Sequence, residues 1–204
     1  MDLLAIDRAV FLALNGAFRT PWLDQVMMFL TSGEPMRWLY AAAGVALVVL
    51  GRRRGLVILL GAVLTITLSD QLAAHVIKPW VGRARPCNTL SDVELLVRCS
   101  GSFSFPSAHA ANTFAGAFYF SRFAPGITIP LAVVAFLVSY SRVYVGVHYP
   151  LDLVGGGVLG VACAALVLAL MSRARVGPRG RVEPPPGRRA PPPPPPPPSS
   201  PAGR

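Results

Sequence analysis

Three short polar segments interrupt an otherwise apolar sequence of 204 residues. They are residues 78–86, 105–110 and 141–152, and together they contain four cations: Lys78, Arg83, Arg85 and Arg142. Cations held together repel one another unless an anion lies between them. A guanidinium matches two phosphate oxygens at once, and an ammonium acts as a point charge. The segments therefore predict a phosphate-binding site.

Helix starts strengthen this prediction. Pro106 and Pro150 each suit the first position of a helix. The first predicted helix would then present free N–H groups near Ser107 and Ala108. A helix N-terminus is a favourable place for an anion, because its N–H groups and its dipole both point at the ligand.

Two histidines and a carboxylate could act on the bound phosphate. His148 precedes Asp152 by four residues at a helix start, so the carboxylate can accept the Nδ1 proton and leave Nε2 as a nucleophile. His109 lies in the first turn of the other predicted helix, where it could protonate the departing oxygen. A second carboxylate does not accompany Asp152 in these segments, so we expect neither a metal nor another cofactor.

The motifs K-x6-R-P, P-S-x-H and S-R-x5-H-x3-D, in this order, resemble those of the type-2 phosphatidic acid phosphatase superfamily. The resemblance covers roughly residues 55–172 of a superfamily that includes membrane lipid phosphatases, glucose-6-phosphatase and vanadium haloperoxidases. It implies that His148 forms a phosphohistidine, that Asp152 orients it and that His109 protonates the leaving group. It also implies a phosphate cradle, which is built from Lys78, Arg85, Ser107, Ala108 and Arg142. Position 108 is alanine where the family often has glycine.

The composition predicts an all-α, polytopic membrane helix bundle. Hydrophobic residues make up 53% of the chain and charged residues only 14%, against about 25% charged in a soluble domain. Five apolar segments predict five clear spans, which are residues 36–51, 55–77, 107–122, 126–141 and 151–172. Residues 173–204 hold seven arginines and one glutamate, hence +6 of the net +10. The remaining basic residues lie at span ends, so we expect no nucleic-acid partner.

The arginines also predict the orientation. Arg52–Arg54, Arg122, Arg173 and Arg175 mark three ends as cytoplasmic. By alternation, residues 78–106 and 141–150 face outward, which brings all three polar segments to the extracytoplasmic face. The arginines therefore predict a membrane protein with a cytoplasmic C-terminus, and the resemblance to bacterial members of the superfamily implies the bacterial cytoplasmic (inner) membrane.

The two ends of the chain differ from this core, which we assign to residues 35–172. Residues 1–34 predict interfacial or re-entrant helices: Ile6, Val10, Phe11, Leu14 and Phe18 share one helical face, and residues 22–31 are too short to span a bilayer. A sixth span formed within residues 1–31 is left open. Residues 173–204 contain 13 of the 21 prolines and predict a disordered cytoplasmic tail with an unknown partner.

Four further residues are candidates for supporting roles. Arg83 faces either headgroups or the phosphate, and Asp70 lies about two helical turns from Lys78, at a membrane depth where ionisable groups are rare and usually paired. Cys87 and Cys99 lie twelve positions apart in the outward loop, where disulfides are permitted, so we expect them to pair.

Together the residues and the resemblance predict a metal-independent membrane hydrolase of a lipid phosphate or diphosphate. The resemblance favours undecaprenyl diphosphate, which is delivered on the outer face, with phosphatidylglycerophosphate or phosphatidate as alternatives. Rival interpretations are a phosphatase for a soluble phosphate ester, a non-catalytic lipid-binding or transport protein, and a vanadate-dependent peroxidase. The intact His109, His148 and Asp152 argue against the second rival, and the apolar segments argue against the third.

Overall fold

The computed structural model describes residues 2–173, without the side chains of residues 34–37 and 39. Eight α-helices follow one another: α1 (Leu3–Gly16), α2 (Pro21–Ser32), α3 (Glu34–Gln71), α4 (Lys78–Val81), α5 (Pro86–Thr89), α6 (Ala108–Ser121), α7 (Thr128–Tyr144) and α8 (Pro150–Arg173). A π-helical turn (Leu72–Ile77) joins α3 to α4, and a 3₁₀ turn (Pro125–Ile127) precedes α7. Over the described range the regular structure is wholly helical, which confirms the all-α prediction. The predicted tail lies outside this range from residue 174 onwards.

Three helical stretches of the described chain are long and apolar enough to cross a membrane: Tyr40–Thr89, Pro125–Tyr144 and Pro150–Arg173. The last two contain the predicted spans 126–141 and 151–172. The predicted span 107–122 corresponds to α6, whose 14 residues extend only about 21 Å, less than the hydrocarbon thickness of about 30 Å. The count of five spans therefore stays a prediction.

The helix α3 consists of two arms that meet at Arg52. This residue has a φ of 50° and a ψ of −131°, which no α-helix contains. The arms fold back on each other, as two close approaches show. A Cβ on Gly55 would collide with the Leu47 carbonyl, and one on Gly44 would lie 3.3 Å from the Leu59 side chain. The predicted spans 36–51 and 55–77 thus begin as separate helical arms joined at the arginine triplet.

The central contact of the bundle is between α6 and α8. Gly156 and Gly160 of α8 lie against the backbone of α6, where a Cβ at position 160 would collide with the carbonyl of Ala111. The facing side chains of Ala111 and Ala115 are completely buried. Small residues on both helices let the two backbones approach closely, as is common in membrane bundles. This approach fixes the start of α6 against the start of α8.

The helix α1 packs a partly polar face against the rest of the protein. Its buried residues are Asp7, Phe11 and Asn15, which repeat every four positions. Ile6 and Val10 are 43% and 41% exposed. The stripe that faces the protein is therefore largely polar, and most of the apolar face lies outside it; the interfacial placement of α1 stays a prediction.

Asn15 shows why polar residues are buried on α1. Its side-chain amide donates to the carbonyls of Val143 at 3.2 Å and Tyr144 at 2.8 Å, and its oxygen accepts from the backbone N–H of Glu94 at 2.8 Å. The last turn of a helix leaves carbonyls without partners inside the helix. Asn15 satisfies two such carbonyls of α7, which anchors α1 at that end of the bundle.

The two loops predicted to face outward meet at one end of the bundle. The backbone N–H of Leu96 donates to Val145 at 3.3 Å, and that of Ser107 donates to Asp152 at 2.9 Å. Cys87 and Cys99 form a disulfide across the longer loop, with their Cα atoms 6.2 Å apart. The loop is thereby closed over the connection between α7 and α8.

We expect Gly160→Ala to lower the free energy of unfolding by about 1–3 kcal/mol, since the new methyl group must push α6 away from α8. The matched control is Gly116→Ala on α6, whose Cβ would lie 3.8 Å from Ile66, an ordinary contact. This control should gain about 0.5–1 kcal/mol from higher helix propensity. Thermal unfolding in detergent measures both, and equal shifts for the two variants would contradict the packing argument.

Candidate active site

The loop between α7 and α8 positions His148. Gly146 has a φ of 89°, a conformation that glycine adopts readily, and a Cβ there would lie only 2.8 Å from the carbonyl of Glu94. The N–H groups of Val147 and His148 both donate to the carbonyl of Arg142, at 3.1 and 3.3 Å. This tight turn places His148 two residues before Pro150, the first residue of α8.

His148 is held by Asp152, and both side chains are buried. Asp152 Oδ2 accepts from three donors: His148 Nδ1 at 3.3 Å, Ser104 Oγ at 2.5 Å and the backbone N–H of Tyr149 at 2.8 Å. The i, i+4 pairing predicted from the sequence is thus present in the structure. Ser104 was not predicted, because it lies in a loop far from Asp152 in the sequence.

Arg85 contacts the opposite side of the imidazole and has partners for all five of its N–H donors. Nη1 donates to His148 Nε2 at 3.1 Å and to the carbonyl of Val147 at 3.0 Å. Nε and Nη2 donate to Ser102, and Nη2 also lies 3.4 Å from the carbonyl of Phe103. Because arginine has donors only, Nε2 must be the acceptor and the ring proton lies on Nδ1. This is the tautomer that a nucleophilic Nε2 requires.

The electrostatic environment keeps His148 neutral. Burial is the main cause that lowers its pKa, from 6.5 to about 4, and the positive charges of Arg85 and Arg142 lower it further. The hydrogen bond and the charge of Asp152 act in the opposite direction. The imidazole is therefore unprotonated at neutral pH, with its Nε2 lone pair available.

Arg83 lies between two buried carboxylates. Its Nη1 donates to Asp152 Oδ1 at 2.8 Å and its Nη2 to Asp7 Oδ2 at 2.5 Å, while the guanidinium lies 4.1 Å from the ring centre of Tyr149. Arg83 therefore supports Asp152 directly, which the sequence allowed but did not assign. Asp7 was missed altogether, although its spacing from Phe11 and Asn15 was visible in the sequence.

The remaining predicted cations lie around the same point. Arg142 Nη1 donates to Thr31 Oγ1 of α2 at 2.5 Å. Its Nε is buried and has no acceptor among the residues that the structure describes. The half-buried Lys78 begins α4 and lies close enough to Arg85 and Arg142 for their charges to act on its ammonium group. The charges of Arg142 and Lys78 likewise act on His109, the second residue of α6.

The helix α6 starts at Ala108, two residues after Pro106, the predicted first residue. Ser107 is the N-cap, and its hydroxyl accepts from the N–H of Ala110 at 3.5 Å. Ala108 and His109 follow in the first turn, where backbone N–H groups have no acceptor within the helix. The predicted anion site at this helix start is thus next to the His148 loop, because the backbone N–H of Ser107 donates to the backbone carbonyl of Asp152.

Asp70 is paired with a neighbouring helix. Its Oδ1 accepts from Asn112 Nδ2 of α6 at 3.1 Å, and its charge acts on Lys78. The supporting position predicted for Asp70 is therefore geometrically reasonable. Asn112, which lies one turn after His109, was not identified from the sequence.

The sequence profile of the PAP2 superfamily matches residues 55–175 of this chain. The chain belongs to the PAP2 superfamily. A lipid A 4'-phosphatase of Bacteroides thetaiotaomicron is 35% identical over 76% of this chain and 72% of that protein. An undecaprenyl-diphosphatase of Sulfolobus acidocaldarius is 32% identical over 79% of this chain and 75% of that protein.

A solved structure agrees with this assignment. A transmembrane PAP2-type phosphatidylglycerolphosphate phosphatase from Bacillus subtilis superposes with a TM-score of 0.65 at 30% identity, and covers 84% of this chain and 87% of its own. These relatives are phosphatases of membrane lipids by their names. This PAP2 chain is therefore an integral membrane phosphatase of the same class.

The PAP2 site combines a neutral, oriented imidazole with several cations and a helix start. Such a set can bind a phosphoryl group, attack it and stabilise the charge that spreads over its oxygens. Arg142, whose buried Nε has no acceptor in the described part of the chain, and the half-buried Lys78 are cations that could hold an anion. Arg85 has a partner for every donor, so it must break one of its bonds to hold an anion. The bond to His148 Nε2 has to break in any case if the lone pair of that nitrogen attacks the phosphorus.

We expect His148 to titrate near pH 4, well below the ordinary histidine value. Histidine-selective ¹⁵N NMR of the protein in detergent measures this directly. Arg85→Gln should raise the pKa of His148, because it removes a positive charge that disfavours the imidazolium. A pKa of 6.5 or above in the unsubstituted protein would contradict the burial argument, and a downward shift in Arg85→Gln would contradict the charge argument.

Proposed function

We propose that the protein removes phosphate from a membrane lipid diphosphate, with undecaprenyl diphosphate as the first candidate, through a phosphohistidine on His148. The observation that carries the proposal is the orientation of His148. Its Nδ1 is fixed by Asp152, and its Nε2 points to Arg85, within the electrostatic reach of Arg142. A phosphate drawn into this group of cations would lie in front of the nucleophile.

In the first step, His148 Nε2 attacks the phosphorus and the bond from phosphorus to the leaving oxygen breaks. His109 donates a proton to that oxygen. A bound phosphate dianion favours the imidazolium form of His109 that this donation requires, since it brings negative charge between Lys78 and Arg142. Asp152 stabilises the positive charge that develops on the His148 ring.

In the second step, water attacks the phosphorus of the phosphohistidine and the phosphorus–nitrogen bond breaks. His109, now neutral, accepts the proton from the water, which restores its starting state after the product leaves. Inorganic phosphate is released and His148 is free again. Lys78, Arg85 and Arg142 supply the positive charge for both steps, so the proposed mechanism needs no metal ion.

The candidate substrates share a phosphate on a membrane-anchored lipid. The named relatives act on lipid A, undecaprenyl diphosphate and phosphatidylglycerolphosphate. We favour the diphosphate because the proposed orientation places the site at the outer leaflet of the cytoplasmic membrane, with the C-terminus inside. The 4'-phosphate of lipid A is the second candidate, supported by the 35% identity to the Bacteroides enzyme.

We expect the purified protein to release phosphate from a lipid substrate in detergent with EDTA present, and His148→Ala to abolish the release. The matched control is His75→Ala, since His75 is exposed on the π-helical turn and is absent from the site. Undecaprenyl diphosphate, lipid A, phosphatidylglycerophosphate, phosphatidate and a soluble phosphate ester are offered side by side. Acid-labile phosphate trapped on His148 would support the intermediate.

Three outcomes would count against the proposal. Equal rates on the soluble ester and the lipids would indicate a soluble substrate. Binding of a lipid without phosphate release would indicate a binding or transport protein. Release that persists in His148→Ala would contradict the phosphohistidine.

We also expect His109→Ala to separate the substrate classes. In single-turnover experiments it should slow lipid release from a phosphomonoester by about 10²–10⁴-fold, the usual contribution of a general acid. The loss should be at least about tenfold smaller for undecaprenyl diphosphate, because a lipid phosphate leaves with less need of a proton than an alkoxide does. Equal losses on the two substrates would show that His109 is not the proton donor to the leaving oxygen.

A further inference from the structure

We propose that Asp7 of α1 is a positioning residue for the reaction, acting on His148 through Arg83 and Asp152. The proposal rests on the proposed role of His148 as nucleophile. A continuous chain of contacts supports it: Asp7 Oδ2 to Arg83 Nη2 at 2.5 Å, Arg83 Nη1 to Asp152 Oδ1 at 2.8 Å, and Asp152 Oδ2 to His148 Nδ1 at 3.3 Å. The N-terminal helix is thereby joined to the catalytic centre.

The burial of Asp7 shows that this contact is not a surface ion pair. Its side chain is 1% exposed, so removing the carboxylate from water has a large cost unless it is compensated. Two groups compensate it. Arg83 provides the opposite charge, and the backbone N–H of Leu151 donates to Oδ1 at 2.9 Å in the first turn of α8. The negative charge also lies near the positive end of the α8 dipole.

Asp7 determines where Arg83 sits. The guanidinium is held by a carboxylate on each side and by the ring of Tyr149 beneath it, at 4.1 Å. With Arg83 fixed, Asp152 Oδ1 is occupied and Oδ2 is left for the imidazole. Without Asp7, Arg83 would lose one of its two anchors and could turn within the site.

Asp7 also sets the charge next to the nucleophile. The group formed by Asp7, Arg83 and Asp152 carries a net charge of −1, which favours the positive charge that develops on a phosphorylated imidazole. Replacing Asp7 with asparagine would make this group neutral. The other ionisable groups facing His148 are Arg85, Arg142 and His109, so the carboxylates oppose a largely positive environment.

The key variant is Asp7→Asn, which keeps the shape and the acceptor for Leu151. We expect kcat to fall by about 10- to 100-fold, as is usual when a partner that orients a catalytic group is lost. The KM should change by less than about twofold, because Lys78 and Arg142, which face the phosphate, are untouched. The matched control is Asp2→Asn on the same helix. Asp2 is exposed and caps α1 by accepting from Leu4 at 3.2 Å, and asparagine caps equally well, so its kcat should not change.

A second background separates positioning from simple anchoring of α1. In Arg83→Met the connection to Asp152 is already broken, so adding Asp7→Asn should lower kcat no further. The thermal stability should respond with opposite signs: Asp7→Asn lowers the Tm of the unsubstituted protein but raises that of Arg83→Met, where Asp7 is a buried charge without its partner. If Asp7 only anchored the helix, kcat would follow the Tm, so it would fall with Asp7→Asn in the unsubstituted protein and rise with it in Arg83→Met.

A readout without substrate makes the result independent of the lipid chosen. Histidine ¹⁵N shifts report the titration of His148, whose pKa we expect to be lower in Asp7→Asn than in the unsubstituted protein, because the variant removes a negative charge from the group beside the imidazole. Failure of every lipid to react would count against the proposed function and leave this measurement standing. An unchanged pKa of His148 or an unchanged kcat in Asp7→Asn would overturn the inference about Asp7.

Discussion

The buried carboxylate of Asp152 is the group on which the organisation of this site depends. A charge without access to water has to be neutralised and hydrogen-bonded by the protein, or it would take up a proton. Asp152 achieves this with Arg83, Ser104, the N–H of Tyr149 and the imidazole of His148. Each partner comes from a different part of the chain or from the α8 start itself. Satisfying one carboxylate thus brings two loops and, through Arg83, the helix α1 to the same place.

Packing of the apolar helices sets the distance between the two histidines at the polar end of the bundle. Gly160 allows α8 to touch α6 next to Ala111. Nearer the start of both helices, the backbone N–H of Ser107 donates to the carbonyl of Asp152. His109 lies in the first turn of α6, and His148 lies two residues before the start of α8. The separation of the two histidines is therefore fixed by backbone packing between small residues, which changes less on thermal motion than long side chains would.

The sequence predicted those site residues whose function depends on type and local spacing. The i, i+4 relation of His148 and Asp152 and the first-turn position of His109 are of this kind. The partners in the supporting layer could not be predicted in the same way. Ser104 and Thr31 are ordinary residues until the fold brings them to Asp152 and Arg142. Their selection depends on tertiary contacts over 48 and 111 positions of sequence, for which local patterns contain no information.

The fold shows a similar division. Hydropathy predicted the helical class, the apolar segments and the break at the arginine triplet. It did not identify the polar stripe of α1 that faces the protein, because the polar residues of an amphipathic helix are ordinarily expected to face water. Asp7 and Asn15 instead face unsatisfied groups of the protein, namely a guanidinium, an amide at the start of α8 and carbonyls at the end of α7. Exposed leucine and valine are no contradiction in a membrane, where lipid replaces water as the solvent.

The three arginines of the site differ in the partners that their N–H donors already have. Arg83 is engaged by two carboxylates, and Arg85 has a partner for every N–H group, four of these bonds being to the loop that contains Ser102 and to Val147. Arg142 alone among the three keeps a buried Nε without an acceptor in the described part of the chain. Under the proposed mechanism, phosphate capture begins at Arg142 with Lys78, and Arg85 joins only by releasing Nε2 of His148. Binding of the anion and exposure of the proposed nucleophile would then be the same event.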